Sequence, residues 1–211
     1  MSSQSIGNIY IVVAPSGAGK TSLVAALLQA EPSVELSISY STRAARKGEI
    51  DGKHYHFVSR EIFDDMKARG DFLEWAEVYG NCYGTSAPWI RSRLDAGQDI
   101  LLEIDWQGAE QVRKVFPDAI GIFIAPPSIE ELERRLRGRD TDTEEVILRR
   151  LASARAEIDK IAEYDYIVVN DDFERARQDL ISIVRARRLR SAPQCRRLAD
   201  MFRRMGTAGA K

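Results

Sequence analysis

Cysteine is scarce in this chain, and its two copies, Cys82 and Cys195, lie far apart and outside any C-x-x-C pattern. That spacing excludes a metal knuckle and a disulfide scaffold, and a reducing, cytoplasmic location is expected. A net charge is missing too, with 31 basic residues standing against 32 acidic ones. Without a global field, neither nucleic acid nor a membrane is an expected partner, and any anion site must be local. No apolar run approaches bilayer-spanning length. Met1-Ser2-Ser3-Gln4-Ser5 lacks both the basic and the apolar region of a signal peptide. No internal repeat or low-complexity linker divides the chain. What is present is enough apolar content, 44% of 211 residues, for the core of one α/β domain carrying insertions.

The most informative stretch runs from Ile9 to Thr21, where an apolar strand meets a glycine-rich loop ending in Lys-Thr that opens a helix. It reads as a phosphate-binding loop formed by Ala14, Pro15, Ser16, Gly17, Ala18, Gly19, Lys20 and Thr21. Gly17 and Gly19 free the backbone to turn its N–H groups toward phosphate oxygens, beside the positive end of the helix that follows. Lys20 then reaches the β- and γ-phosphates of a nucleotide, and the Thr21 hydroxyl meets a Mg²⁺ that bridges them. Ala14 stands where the full pattern has its first glycine.

Hydrophobic periodicity orders the remainder. The helix after Thr21 should stop near Pro32, and Val34, Leu36 and Ile38 alternate as a strand. Ser39 to Lys53 reads as a polar loop, Tyr55 to Val58 as a strand, and Ser59 as the cap of a helix that Gly70 ends. Phe72 to Tyr79 is extended, with a turn at Gly80-Asn81. Pro88 suits the first turn of a helix that Gly97 closes. Ile100 to Ile104 is an interior strand ending at Asp105, and Gly108 begins a helix that Pro117 stops. Ile120 to Ala125 is a second continuous apolar run, the mark of a parallel strand covered on both faces. Ser128 and Glu131 form a capping box for a helix through Arg137. A polar break at 138–143, a long helix to about Ala162, a strand at Tyr166 to Val169 and a final helix capped by Asp171 complete the chain. The basic run from Arg185 to Arg204 reads as a solvated helical face. The fold class is therefore α/β, a P-loop three-layer fold with a parallel core sheet, in which residues 39–85 form an inserted substrate-binding subdomain.

Three polar sets fall at the carboxyl ends of the strands: the P-loop, Glu103 with Asp105, and Asn170 with Asp171. Asp105 is a candidate to organise Mg²⁺ through water. A further set is rich in arginine and flanks the break at Gly138. Arg134 and Arg137 read as a solvated face, whereas Arg135, Arg139 and Arg150 are candidates to close over a transferring phosphoryl group.

The same residues resemble the guanylate kinase family over nearly the whole chain. The nucleotide loop at 14–21 is similar, as are Ser39-Tyr40-Ser41-Thr42-Arg43 with Arg46, Gly48-Glu49 and Tyr55. Phe72-Leu73-Glu74, Gly80 to Thr85, Glu103 to Gly108 and Val169 to Asp172 extend the resemblance. It implies that Arg43, Arg46, Tyr55 and Tyr83 hold the acceptor phosphate of GMP, and that Ser39, Glu74, Thr85 and Glu103 read guanine. It also implies that Arg135, Arg139 and Arg150 are lid arginines and that Asn170 lies near the adenine of ATP. Guanine offers N1–H and N2–H₂ side by side, which a carboxylate such as Glu74 accepts together. The family's usual R-x-P-R is here Arg43-Ala44-Ala45-Arg46, which implies a loop less rigid before binding. Glu103 stands where some members have Asp.

The expectation is an ATP:GMP phosphotransferase with Lys20, Arg43, Arg135, Arg139 and Arg150 as catalytic residues. GMP or dGMP is the acceptor, Mg²⁺ the cofactor, and a homo-oligomer is left open. The expected division is a core of 5–38, 86–126 and 163–205, a nucleoside-monophosphate insertion at 39–85, and a lid at 127–162. A ribosyl bisphosphate acceptor is the rival enzyme reading, and Glu74 with Thr85 argues against it. A protein-interaction module like the guanylate-kinase-like domains of scaffold proteins is the third, and the intact Lys20 and Thr21 argue against that.

Overall fold

The computed structural model describes residues 7–78, 80–138 and 143–206. Its strands are β1 (Ile9–Val13), β2 (Val34–Leu36), β3 (Tyr40–Ser41), β4 (His56–Phe57), β5 (Phe72–Val78), β6 (Asn81–Ser86), β7 (Asp99–Glu103), β8 (Ile120–Ala125) and β9 (Tyr166–Val169). Its α-helices are α1 (Lys20–Ala30), α2 (Arg60–Ala68), α3 (Ala87–Asp95), α4 (Trp106–Val115), α5 (Ile129–Arg137), α6 (Glu144–Ile158), α7 (Phe173–Arg188), α8 (Ser191–Arg197) and α9 (Ala199–Arg204).

β1 is apolar and buried at every position because it lies at the centre of a five-stranded parallel sheet, order β2-β7-β1-β8-β9. Ile9 pairs with Ile100 on one side, and Tyr10 pairs with Ile120 on the other. Alternate side chains enter two cores. Tyr10, Val12, Leu101 and Ile122 meet Leu23, Leu27, Leu180 and Val184 of α1 and α7. Ile11, Val13, Leu102 and Phe123 meet Ile90, Leu94 and Val112 of α3 and α4. Because α1 and α4 leave the adjacent strands β1 and β7 toward opposite faces, a crevice opens at those strands' carboxyl ends, the place where open α/β sheets bind ligands.

A second, mixed sheet has the order β4-β3-β6-β5 and is built from residues between 40 and 86. Its strand β6 was not evident in the sequence, since Asn81 to Ser86 has neither alternation nor a long apolar run. On β5 the alternation is inverted in character. Glu74 and Ala76 are buried, while Trp75 faces outward with Lys67 Nζ 3.4 Å from its ring centroid.

Some boundaries differ from expectation. The helix expected from Gly108 begins at Trp106, because Asp105 is its N-cap and accepts from Gly108 N at 2.8 Å. The helix expected to be capped by Asp171 is capped by Asp172, which accepts from Arg175 N at 2.8 Å. Ser128 caps α5 as expected, but the Glu131 carboxylate turns to Arg134 and Arg135, so the capping box is half made. The basic run is not simply a solvated face. Arg185 and Arg188 bind Glu31 at 2.6 and 2.7 Å, and Arg188 also binds Asp99 at 2.6 Å. These contacts tie the end of α7 to the amino-terminal edge of the sheet, opposite the crevice.

Candidate active site

Five helices carry a side-chain N-cap, from Ser59, Ser86, Asp105, Ser128 and Asp172. α1 does not: its N-cap is Gly19, no side chain accepts from its first turn, and no acidic residue lies there. Its free N–H groups and positive dipole end are thus left for an anion. Gly17 and Gly19 have φ of 97° and 94°, left-handed values that a Cβ would oppose. Lys20 Nζ donates to the Ile104 carbonyl at 3.0 Å, which stretches the side chain across the crevice. Thr21 Oγ1 donates to Glu103 Oε1 at 2.6 Å, so its oxygen keeps lone pairs for a further partner. Asn170 is buried and donates from Nδ2 to the Ala18 carbonyl at 2.7 Å. A Cβ on residue 19 would stand 2.3 Å from that nitrogen, so Asn170 and Gly19 together hold the loop's shape.

Two cavities meet in the crevice. The larger, about 480 Å³, is walled by the glycine-rich loop, Thr21, Trp106 and Glu157. The smaller, about 150 Å³, is walled by Ser39, Tyr55, Glu74, Tyr83 and Val78. Lys20, Glu103 and Asp105 line both. A donor in the first and an acceptor in the second would therefore face each other across Lys20.

The floor of the smaller cavity is Glu74, only 3% exposed. A register shift between Phe72 and Glu74 sets it directly opposite Thr85, whose Oγ1 donates to Glu74 Oε1 at 2.5 Å. Burial pushes the Glu74 carboxyl up to about 7; the Thr85 bond opposes this and the Asp105 charge adds to it. A carboxylate in that setting gains strongly from a ligand that brings hydrogen-bond donors.

The Arg43 guanidinium lies 5.4 Å from the ring centroid of Tyr55, which lines the smaller cavity, and is bound to Glu49 at 2.9 Å through both terminal nitrogens. Glu49 also accepts from Arg46 N at 2.6 Å. The Arg43 guanidinium holds the Glu49 carboxyl down at about 2. Glu49 thus ties the Arg43 side chain to the backbone of Arg46 across Ala44 and Ala45. The Tyr55 and Tyr83 rings meet edge-on at 5.8 Å, and the Arg46 side chain is exposed.

Beside the glycine-rich loop, Arg135 is held by Glu131 at 2.7 Å and donates to the Asn170 carbonyl at 3.0 Å. Arg150 lies on α6, partly buried. Arg139 lies outside the described residues. Arg134 is exposed and pairs with Glu131. Arg137 binds Glu133 and Glu144, and so bridges α5 to α6 across the polar break.

Comparison with known proteins decides the family. A family model described as guanylate kinase matches residues 6–187. The chain is 93% identical over 208 residues to a guanylate kinase of Chromobacterium violaceum, covering 99% of both chains. It is 58% identical over 199 residues to one from Dechloromonas aromatica, covering 94% of this chain and 98% of that one. The crystal structure of guanylate kinase from Anaplasma phagocytophilum superposes with a TM-score of 0.72 at 37% identity, covering 89% of each chain. The chain belongs to the guanylate kinase family. It is a nucleoside monophosphate kinase that phosphorylates GMP with ATP as donor.

One residue of this guanylate kinase site had no signal in the sequence. Glu157 projects from α6 into the larger cavity one turn beyond Ser153, inside an otherwise ordinary helical pattern. Burial raises its carboxyl to about 7, opposed by Lys20 and reinforced by Asp105. For a divalent cation the donor set is hard oxygen: the Thr21 hydroxyl with the Glu103 and Asp105 carboxylates nearby. Among the described residues no group of three or more His, Cys, Asp or Glu could hold a metal by itself. Hard oxygen donors suit Mg²⁺, which keeps most of its waters and takes its remaining ligands from one or two side chains and substrate phosphates.

Proposed function

We propose that the transfer from ATP to GMP, giving ADP and GDP, is carried out across Lys20 between the two cavities. The P-loop residues Ala14 to Thr21 cradle the ATP phosphates on the uncapped end of α1, with Asn170 keeping the loop in shape beside the nucleotide. Thr21 and, through water, Asp105 hold Mg²⁺, which draws charge from the phosphates when bound. Ser39, Glu74, Thr85 and Glu103 form the guanine pocket, and Arg43, Arg46, Tyr55 and Tyr83 hold the acceptor phosphate. No general base is needed, because the attacking atom is a phosphate oxyanion. Catalysis is then positioning and charge neutralisation by Lys20, Arg43, Arg135, Arg139 and Arg150. Residues 39–85 act as the acceptor-binding unit and 127–162 as the lid. A cytoplasmic location is part of the proposal, consistent with no described helix being long and apolar enough to cross a membrane.

The observation that carries the acceptor assignment is the buried Glu74 carboxylate on the floor of a cavity also lined by Lys20, Tyr55 and Tyr83. Its preference is for adjacent donors, which guanine has; adenine offers an acceptor at N1. A coupled ADP-release assay across GMP, dGMP, AMP, CMP and UMP tests it. Turnover should be confined to GMP and dGMP, and comparable kcat/KM with AMP would refute the pocket assignment.

A further inference from the structure

Gly108 sits inside helix α4 at ordinary helical backbone angles, where alanine is the better residue. Nothing about its φ requires glycine. Its surroundings do: a Cβ built there would stand 2.5 Å from Glu74 Oε2 and 3.1 Å from the Glu74 carboxyl carbon. The carboxylate thus rests against bare α4 backbone, while its other oxygen is held by Thr85.

The spacing cannot simply open. One turn along, Gln111 lies on the same face of α4 and pairs its amide with the backbone of β5 at Trp75. Trp75 N donates to Gln111 Oε1 at 3.2 Å, and Gln111 Nε2 donates to the Trp75 carbonyl at 2.8 Å. Trp75 is the neighbour of Glu74, so this clamp sets the distance between α4 and the guanine-facing strand. A Cβ at 108 would also meet Ile104 Cδ1 at 3.3 Å, but its closest contact is the far end of the Glu74 side chain, so the carboxylate must move off its position.

We infer that Gly108 is a specificity-determining residue for GMP and Gln111 a positioning residue: the missing Cβ, at a gap held by the Gln111 clamp, sets the depth of the Glu74 carboxylate. The inference rests on Glu74 being the guanine-binding group.

The test is steady-state kinetics of Gly108→Ala, Glu74→Gln and the double variant, with KM for GMP and ATP measured separately. Gly108→Ala should raise KM for GMP at least about tenfold, the loss of one hydrogen bond to a charged group, with KM for ATP within about twofold. In the Glu74→Gln background the same change should cost less than about threefold, since its effect runs through that carboxylate. A KM for GMP within twofold of the parent, or an undiminished loss in the Glu74→Gln background, overturns the inference. If Glu74→Gln alone leaves GMP kinetics intact, the Glu74 assignment fails and takes this inference with it. If Glu74→Gln is damaging and Gly108→Ala is not, only this inference fails. Should Gly108→Ala not fold, Gln111→Ala, at a half-exposed position, carries the test. It should raise KM for GMP at least about threefold without moving that for ATP, and an unchanged KM for GMP overturns the proposal.

Discussion

Replacing Glu74 by glutamine keeps shape and removes charge, and the structure predicts opposite effects on activity and stability. The glutamine carbonyl can keep the Thr85 bond at the Oε1 position, which puts the amide nitrogen where Oε2 lies against Gly108. A donor then faces the donors of guanine, and one charge-assisted bond is lost. At about 1.5–3 kcal/mol for a bond to a charged group, GMP kcat/KM should fall roughly 10- to 150-fold. Stability moves the other way above neutral pH. The folded carboxyl is raised from 4.5 to about 7, so between those values the folded state holds a proton that the unfolded chain has lost. Stability therefore falls as pH rises through that window, by about 3 kcal/mol at about 1.36 kcal/mol per pH unit. The Gln variant escapes that loss, so it should be more stable than the parent at pH 8 and not at pH 4. Coupled ADP-release kinetics with thermal melts at the two pH values read both effects. A GMP kcat/KM within about threefold of the parent would refute Glu74 as the guanine-binding group, and a stability difference independent of pH would refute the buried, proton-holding carboxyl.

Lys20→Ala should fold normally, having lost one bond to the Ile104 carbonyl, but slow turnover by at least about 100-fold; near-normal kcat in a folded variant would sink the Lys20 assignment. Arg188→Ala strips a partner from Glu31 and Asp99, which are 7% and 8% exposed. Each keeps another contact, so the cost should be about 2–3 kcal/mol, with Tm down by about 5–10 °C and kcat unchanged. A Tm within 2 °C of the parent would show the cluster to be unimportant. Glu157→Gln should raise Tm at pH 8 more than at pH 5, because burial holds this carboxyl up at about 7 and its ionisation costs stability only above about 4.5. Equal changes at both pH values would mean that its carboxyl titrates normally in the folded chain.

The glycine-rich loop between β1 and α1 was legible in the sequence because it is local. Apolar β1, two glycines at left-handed positions and the start of α1 follow one another within a dozen or so residues, and chain connectivity alone brings them together. The same holds for the caps at Ser59 and Ser128, whose partners lie three residues on. Cap assignments failed where two candidates adjoin: Asp171 and Asp172 differ in which one reaches Arg175 N, and local backbone angles decide that. Glu74 left a faint trace, an acid in phase with Ala76 and Val78 on the inward side of a strand while Trp75 pointed out. The family resemblance named it as a guanine reader, but its pairing with Thr85 across a bulged ladder and its rest against Gly108 on another element came only from the tertiary structure. Asn170 reaching Ala18, Glu157 entering the larger cavity and Arg188 joining Glu31 to Asp99 are likewise settled by strand order and helix packing. These partners are separated by up to 157 residues, and no residue pattern encodes such a pairing until the sheet has assembled in the order β2-β7-β1-β8-β9 and fixed which ends of the chain stand side by side.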